Sequence, residues 1–238
     1  MLLPKINREA ARNQLRRISG APTLCAIILL FIAAPIIEPL PGGNFIEAVL
    51  FTLVLAAAFP AISSRRAVLY RAAALFALAL ITKWLDVVTP GLLPHAVALS
   101  VMVVTLLYIA LHFLSFVMRA KAVNADVLCT GISAFFLITL LWACAYILVD
   151  RLVPHSYLYS AGPESQREMN GFTSLYFSLV TICSVGFGDI TPISSASRSV
   201  AMFEGAAGVV FVAVFLARLV SLYSAPAPEP PADTKPQP

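Results

Sequence analysis

The stretch Tyr176-Phe177-Ser178-Leu179-Val180-Thr181-Ile182-Cys183-Ser184-Val185-Gly186-Phe187-Gly188-Asp189 decides the fold. It closes an apolar, hydroxyl-rich run over Phe172–Cys183, with Asn170 placed as an N-cap. At 1.5 Å per residue such a helix is about 18 Å long, roughly half of what a bilayer span needs. Ser184–Asp189, followed by Ile190-Thr191-Pro192, cannot simply prolong it, because Gly186 and Gly188 favour backbone angles closed to other residues. The reading is a helix that enters a membrane without crossing it, then an extended return. Non-helical backbone survives at that depth only when it is buried in protein or lines a water-filled path. A run alternating in handedness would aim successive carbonyls to one side, where a strand aims them to opposite sides.

Composition supports lipid as the solvent. Of 238 residues, 60% are hydrophobic and 12% charged, and mean hydropathy is +0.88, against about 45–50% and about 25% in globular domains. Disorder, collagen, coiled coil and a secreted disulfide scaffold are excluded for all but the tail. The four cysteines, Cys25, Cys129, Cys144 and Cys183, sit in apolar runs without CxxC spacing, as small hydrophobes do. Six spans are expected: Thr23–Ile37, which is short and ends in Pro35, then Phe45–Ile62, Ala67–Trp84, His95–Met118, Val127–Val149 and Ser199–Tyr223. None shows the alternation of barrel strands. The fold class is therefore an all-α membrane protein of six transmembrane helices, with the re-entrant helix and loop between the fifth and sixth. No half-chain duplication is visible, which weakens a transporter built from repeats.

Basic residues orient the set. Lys5, Arg8, Arg12, Arg16, Arg17, Arg65, Arg66, Arg71, Arg119, Lys121, Arg218 and Lys235 fall on one side, leaving Lys83, Arg151, Arg167 and Arg198 on the other. The positive-inside rule places both termini in the cytoplasm of a multi-pass protein of the cell (plasma or inner) membrane. The net charge of +4 is thus read as topology, with no nucleic-acid partner. A basic head before an apolar run also fits a cleaved signal, but no small-x-small site follows Ile37. The expected divisions are a basic N-terminus (1–22), a four-helix domain (23–118), a second domain (119–224) and a proline-rich disordered tail (225–238).

With those residues in place, Tyr176–Asp189 resembles the pore helix and selectivity filter of the potassium channel family, whose signature is TVGYG followed by Asp. The likeness covers Val127 to about Tyr223 and extends to Gly208, which falls at the family's inner-helix glycine. The resemblance implies a homotetramer, since one filter per chain cannot ring a pore. It implies that carbonyls of Ser184, Val185, Gly186 and Phe187 replace the hydration shell of K⁺. Gly188 would allow the outward turn, and Asp189 would form an acidic ring at the outer mouth. Tyr176 and Thr181 would support the filter from the pore helix, whose carboxyl end would face the pore centre. Ser184 stands where the family has Thr, and Phe187 where it has Tyr; the aromatic pair Tyr176-Phe177 would compensate, with Tyr176 as donor.

Gly208 is read as a gating hinge or a packing glycine. Glu204 is the acid buried within a span, expected to hydrogen-bond behind the pore helix with Thr181 or Ser178. Asp150, Glu164 and Glu168 could raise the local cation concentration. The fourth span has no Lys or Arg before Arg119, so little voltage sensing is expected, and His95 and His112 are read as packing histidines. No nucleophile–base pair, metal-ligand cluster or phosphate loop points to an enzyme, and no cofactor is expected beyond K⁺ as permeant ion. Passive, K⁺-selective conduction is the leading expectation. A weakly selective monovalent cation channel and a secondary transporter are the alternatives.

Overall fold

The computed structural model describes residues 20–62, 66–89, 94–160 and 167–223. Lys5, Arg8, Arg12, Arg16, Arg17, Arg65, Glu164, Lys235 and the proline-rich tail lie outside the described residues. The elements run α1 (Gly20–Ile37), α2 (Gly43–Ala58), a 3₁₀ turn (Phe59–Ala61), α3 (Arg66–Val88), α4 (His95–Arg119) and α5 (Ala125–Leu152). Then follow β1 (Tyr157–Tyr159), α6 (Gly171–Ile182), β2 (Ile190–Pro192) and α7 (Ser195–Tyr223). All of these helices except α6 are long and apolar enough to cross a membrane, with α2 counted together with its 3₁₀ turn. The chain is an all-α, multi-pass membrane protein.

Local chemistry explains where helices begin and end. Asn124 caps α5 by accepting from the Val127 N–H at 2.9 Å, so the helix starts before the apolar run does. Pro94 precedes α4 in extended geometry and Pro60 turns the end of α2 into the 3₁₀ segment. Pro35 does not end α1, which continues to Ile37. That helix gains its length at the other end, where the Gly20 N–H donates to Asp126 Oδ1 at 3.0 Å. A Cβ at Gly20 would collide with Thr130, so only glycine admits this approach to α5.

The core gathers on α5, which packs against α1, α4, α6 and α7. Ile27, Leu30, Val54, Leu106, Ile109, Phe113 and Leu137 are fully buried there. Burial separates the two long flanking helices sharply: half of the α5 span is buried but only 11% of the α7 span. At one end of the bundle, Arg218 Nη2 on α7 donates to the Ala120 carbonyl at 2.5 Å, beside Arg119 and Lys121. At the other end β1 and β2 pair antiparallel, Tyr157 with Pro192 and Tyr159 with Ile190. The chain between α5 and α7 therefore leaves and returns at the same level.

Candidate functional site

The site is built from the end of α6. The Ser184 N–H bonds the Thr181 carbonyl and the Val185 N–H bonds the Val180 carbonyl, each at 2.9 Å. This 5→2 and 6→1 pair is a Schellman termination, which requires a left-handed residue at the position after the C-cap Cys183. Ser184 takes it, with φ 56°. Positive φ then recurs at Gly186 (57°) and Gly188 (79°), with Val185 and Phe187 between them. The alternation thus begins one step before the glycines, at a serine that bears a strain of about 1–2 kcal/mol for the left-handed region. In the single chain this strand of carbonyls lies open, with Val185 and Phe187 53% and 69% exposed.

The outer end is pinned from three directions. Tyr176 donates to Asp189 Oδ2 at 2.7 Å, and its ring stacks on Phe187 at 6.5 Å and 5°. Ser160, next to β1, donates its N–H to the Asp189 carbonyl at 2.9 Å, and its hydroxyl reaches the Gly188 and Asp189 carbonyls. Asp189 Oδ1 accepts its own neighbour's N–H, that of Ile190. Phe177 takes no part in this. It turns to the opposite face, against Tyr146 (4.7 Å) and Tyr157 (5.8 Å). Burial pushes the Tyr157 and Tyr159 phenols well above their ordinary range, so both remain neutral.

Behind α6, Glu204 is fully buried. Its carboxyl oxygens meet the Ser178 hydroxyl at 2.5 Å and the Tyr146 hydroxyl, which Thr181 also reaches. Ser178 further donates to the Thr139 carbonyl at 2.8 Å. One node therefore joins α5, α6 and α7. One turn on, Gly208 lies against the end of α6, and an added Cβ would run into the Ile182 carbonyl oxygen. In this conformation it is a close-approach glycine.

The start of α6 departs from expectation. Asn170 occupies the N-cap position and its carbonyl accepts from Ser174 N–H, but its side chain makes no cap. The carboxylates near this end of α6 come from other helices: Glu38, just beyond α1, is influenced by the Asn170 side chain and the Phe172 N–H, and Glu47 of α2 lies against Gly171. At the hairpin end the Glu168 charge acts on Asp150. His95 pairs with Asp86 at 2.7 Å, while His112 meets the Tyr108 carbonyl at 2.8 Å and packs on that ring. Glu38, Tyr146 and Ser160 were not legible from the sequence. Each acts across more than 25 residues, and nothing local marks them. Among the described residues no His/Cys/Asp/Glu group is arranged to hold a metal ion.

Residues 134–225 match the protein family described as "Ion channel", and that range contains α6, the alternating segment, Glu204 and Gly208. A rice (Oryza sativa subsp. japonica) protein named "Two pore potassium channel c" is 31% identical over 86 residues. That stretch is 36% of this chain and 18% of the rice protein, so the chain spans under a fifth of the relative's length. No solved structure matches the chain. The potassium channel family that Tyr176–Asp189 resembles is thus supported by two comparisons, the family match lying in the C-terminal part of the chain.

Proposed function

We propose that four copies of this chain form a potassium-selective channel that conducts passively across the cell membrane. The observation that carries the reading is the alternation of positive φ at Ser184, Gly186 and Gly188 directly after a Schellman-capped half-length helix. In this assignment residues 119–224 are the pore domain, with α5 as outer helix, α6 as re-entrant pore helix and α7 as inner helix. Carbonyls of Ser184, Val185, Gly186 and Phe187 hold dehydrated K⁺ around a fourfold axis, Gly188 turns the chain outward, and Asp189 rings the outer mouth. Tyr176 holds Asp189 in place, and Thr181 belongs to the node behind the filter. Residues 23–118 form a four-helix domain with little voltage sensing, and both termini lie in the cytoplasm.

Purified protein in liposomes, under opposed K⁺ and Na⁺ gradients, tests this. The reversal potential should lie near that of K⁺, and Gly186→Ala, which places a Cβ at φ 57°, should abolish the current. A potential near zero with intact current would assign the second reading, a weakly selective cation channel. Phe187 favours that reading in one respect, because it lacks the hydroxyl with which Tyr would brace the filter.

A further inference from the structure

The carbonyls that follow α6 fall into two groups. Among the described residues no donor reaches those of Ser184, Val185, Gly186 and Phe187, whereas those of Gly188 and Asp189 are both taken by Ser160. The Ser160 N–H donates to the Asp189 carbonyl at 2.9 Å. The Ser160 hydroxyl lies 3.1 Å from the Gly188 carbonyl and 3.2 Å from that of Asp189. A hydroxyl has one hydrogen to give. The Asp189 oxygen is already served by the N–H, so the acceptor still without a donor is that of Gly188.

Ser160 continues the β1–β2 register by one step, opposite Asp189, after Tyr157–Pro192, Leu158–Thr191 and Tyr159–Ile190. The long helices hold that strand. Tyr157 donates to the Tyr146 carbonyl of α5 at 3.3 Å. The Ser156 carbonyl accepts from the Ile193 N–H and from the hydroxyl of buried Ser197 on α7, each at 2.9 Å. The Ser160 hydroxyl is therefore a donor anchored through β1 to α5 and α7. Tyr176, by contrast, acts on the Asp189 carboxylate and the Phe187 ring, and neither contact holds a carbonyl.

We propose that Ser160 is a positioning residue that ends the row of ion-coordinating carbonyls. By holding the Gly188 carbonyl against β1 it leaves Phe187 as the outermost oxygen open to a cation, and it fixes the neighbouring peptide before the ion arrives. A row ordered in advance binds its ion without the cost of ordering, so the hydroxyl contributes to K⁺ affinity as well as to the hairpin. This rests on the reading of Ser184–Phe187 as a selectivity filter.

Melting of the purified full chain in nanodiscs, titrated with KCl against NaCl at constant ionic strength, tests this without any current. In the parent protein K⁺ should raise the melting temperature above its value in Na⁺. Ser160→Ala, which keeps the N–H ladder, should raise the half-saturating K⁺ concentration about threefold or more, as loss of one ordinary hydrogen bond implies. Its melting temperature in NaCl should be unchanged. Ser160→Thr, which restores a hydroxyl, should return the parent midpoint. Thr191→Val is the control, because the Thr191 hydroxyl bonds the Leu158 carbonyl of the same hairpin at 3.5 Å and no carbonyl between Ser184 and Asp189. Its midpoint should stay at the parent value. A K⁺ midpoint unmoved by Ser160→Ala overturns the proposal and leaves the filter reading standing. So does an equal shift from Thr191→Val, which would make Ser160 a residue of the hairpin alone. A parent protein that melts identically in KCl and NaCl overturns the filter reading, and this proposal with it.

Discussion

Ser178 has one hydroxyl hydrogen and two acceptors in reach, the Thr139 carbonyl and Glu204 Oε1. A residue at 204 that could itself donate to Ser178 and accept from Tyr146 would satisfy every group. Glutamine meets both demands, whereas alanine leaves the buried Tyr146 hydroxyl without its acceptor and opens a void. Glu204→Gln should therefore stay within about 1 kcal/mol of the parent protein in stability, and Glu204→Ala should lose about 2–4 kcal/mol. Thermal melting of the purified protein reads both. Equal melting of the two variants would show that the node carries no stability. Ser184 offers a second contrast, because strain and hydroxyl can be separated there. Ser184→Gly relieves the left-handed backbone and should gain about 1 kcal/mol, while Ser184→Ala removes the same hydroxyl without that relief and should gain nothing.

At the scale of elements, α6 and α7 meet through an absent side chain. Gly208→Ala must push α7 off the Ile182 carbonyl, whereas Gly205, one turn earlier, has nothing within 4 Å of an added Cβ. Gly208→Ala should lower the melting temperature, and Gly205→Ala should not, since alanine is favoured over glycine in a helix by about 1 kcal/mol. The opposite order would mean that Gly205, not Gly208, sits at a tight contact in the assembled protein. These elements also mark what the sequence could and could not disclose. The helices were legible because hydropathy over about 20 residues is a local, additive signal. Their ends were less so: α5 begins at Ala125 and α7 at Ser195, because caps and polar first turns extend helices beyond their apolar runs. The β1–β2 pair was invisible, since two strands of three residues leave no periodicity to count. The glycine alternation was legible as chemistry, but its start at Ser184 depends on how α6 terminates. Glu204 stood out as a buried acid. Its partner Tyr146, which lies 58 residues away, did not.

On the scale of the whole molecule, α7 presents Met202, Phe203, Val209, Val210, Leu216 and Val220 outward. Lipid or further copies must cover them. In the proposed fourfold assembly the chain's electrical behaviour follows from where its charges lie. The α4 helix runs 25 residues with Arg119 in its last turn and His95 at its start, and no Lys, Arg, Asp or Glu between them. Lys83 on α3 is tied to Glu47 on α2. Moving one elementary charge through 100 mV supplies about 2.3 kcal/mol, and a voltage-gated subunit needs several such charges within the field. Displacing α4 here would carry none through the middle of the membrane. In the same liposomes or in planar bilayers, open probability between −100 and +100 mV should therefore change with an effective valence below about one charge per assembly. A steep activation curve would require a charged element that crosses the field, and the membrane-spanning helices described here would have to move as whole units to supply it.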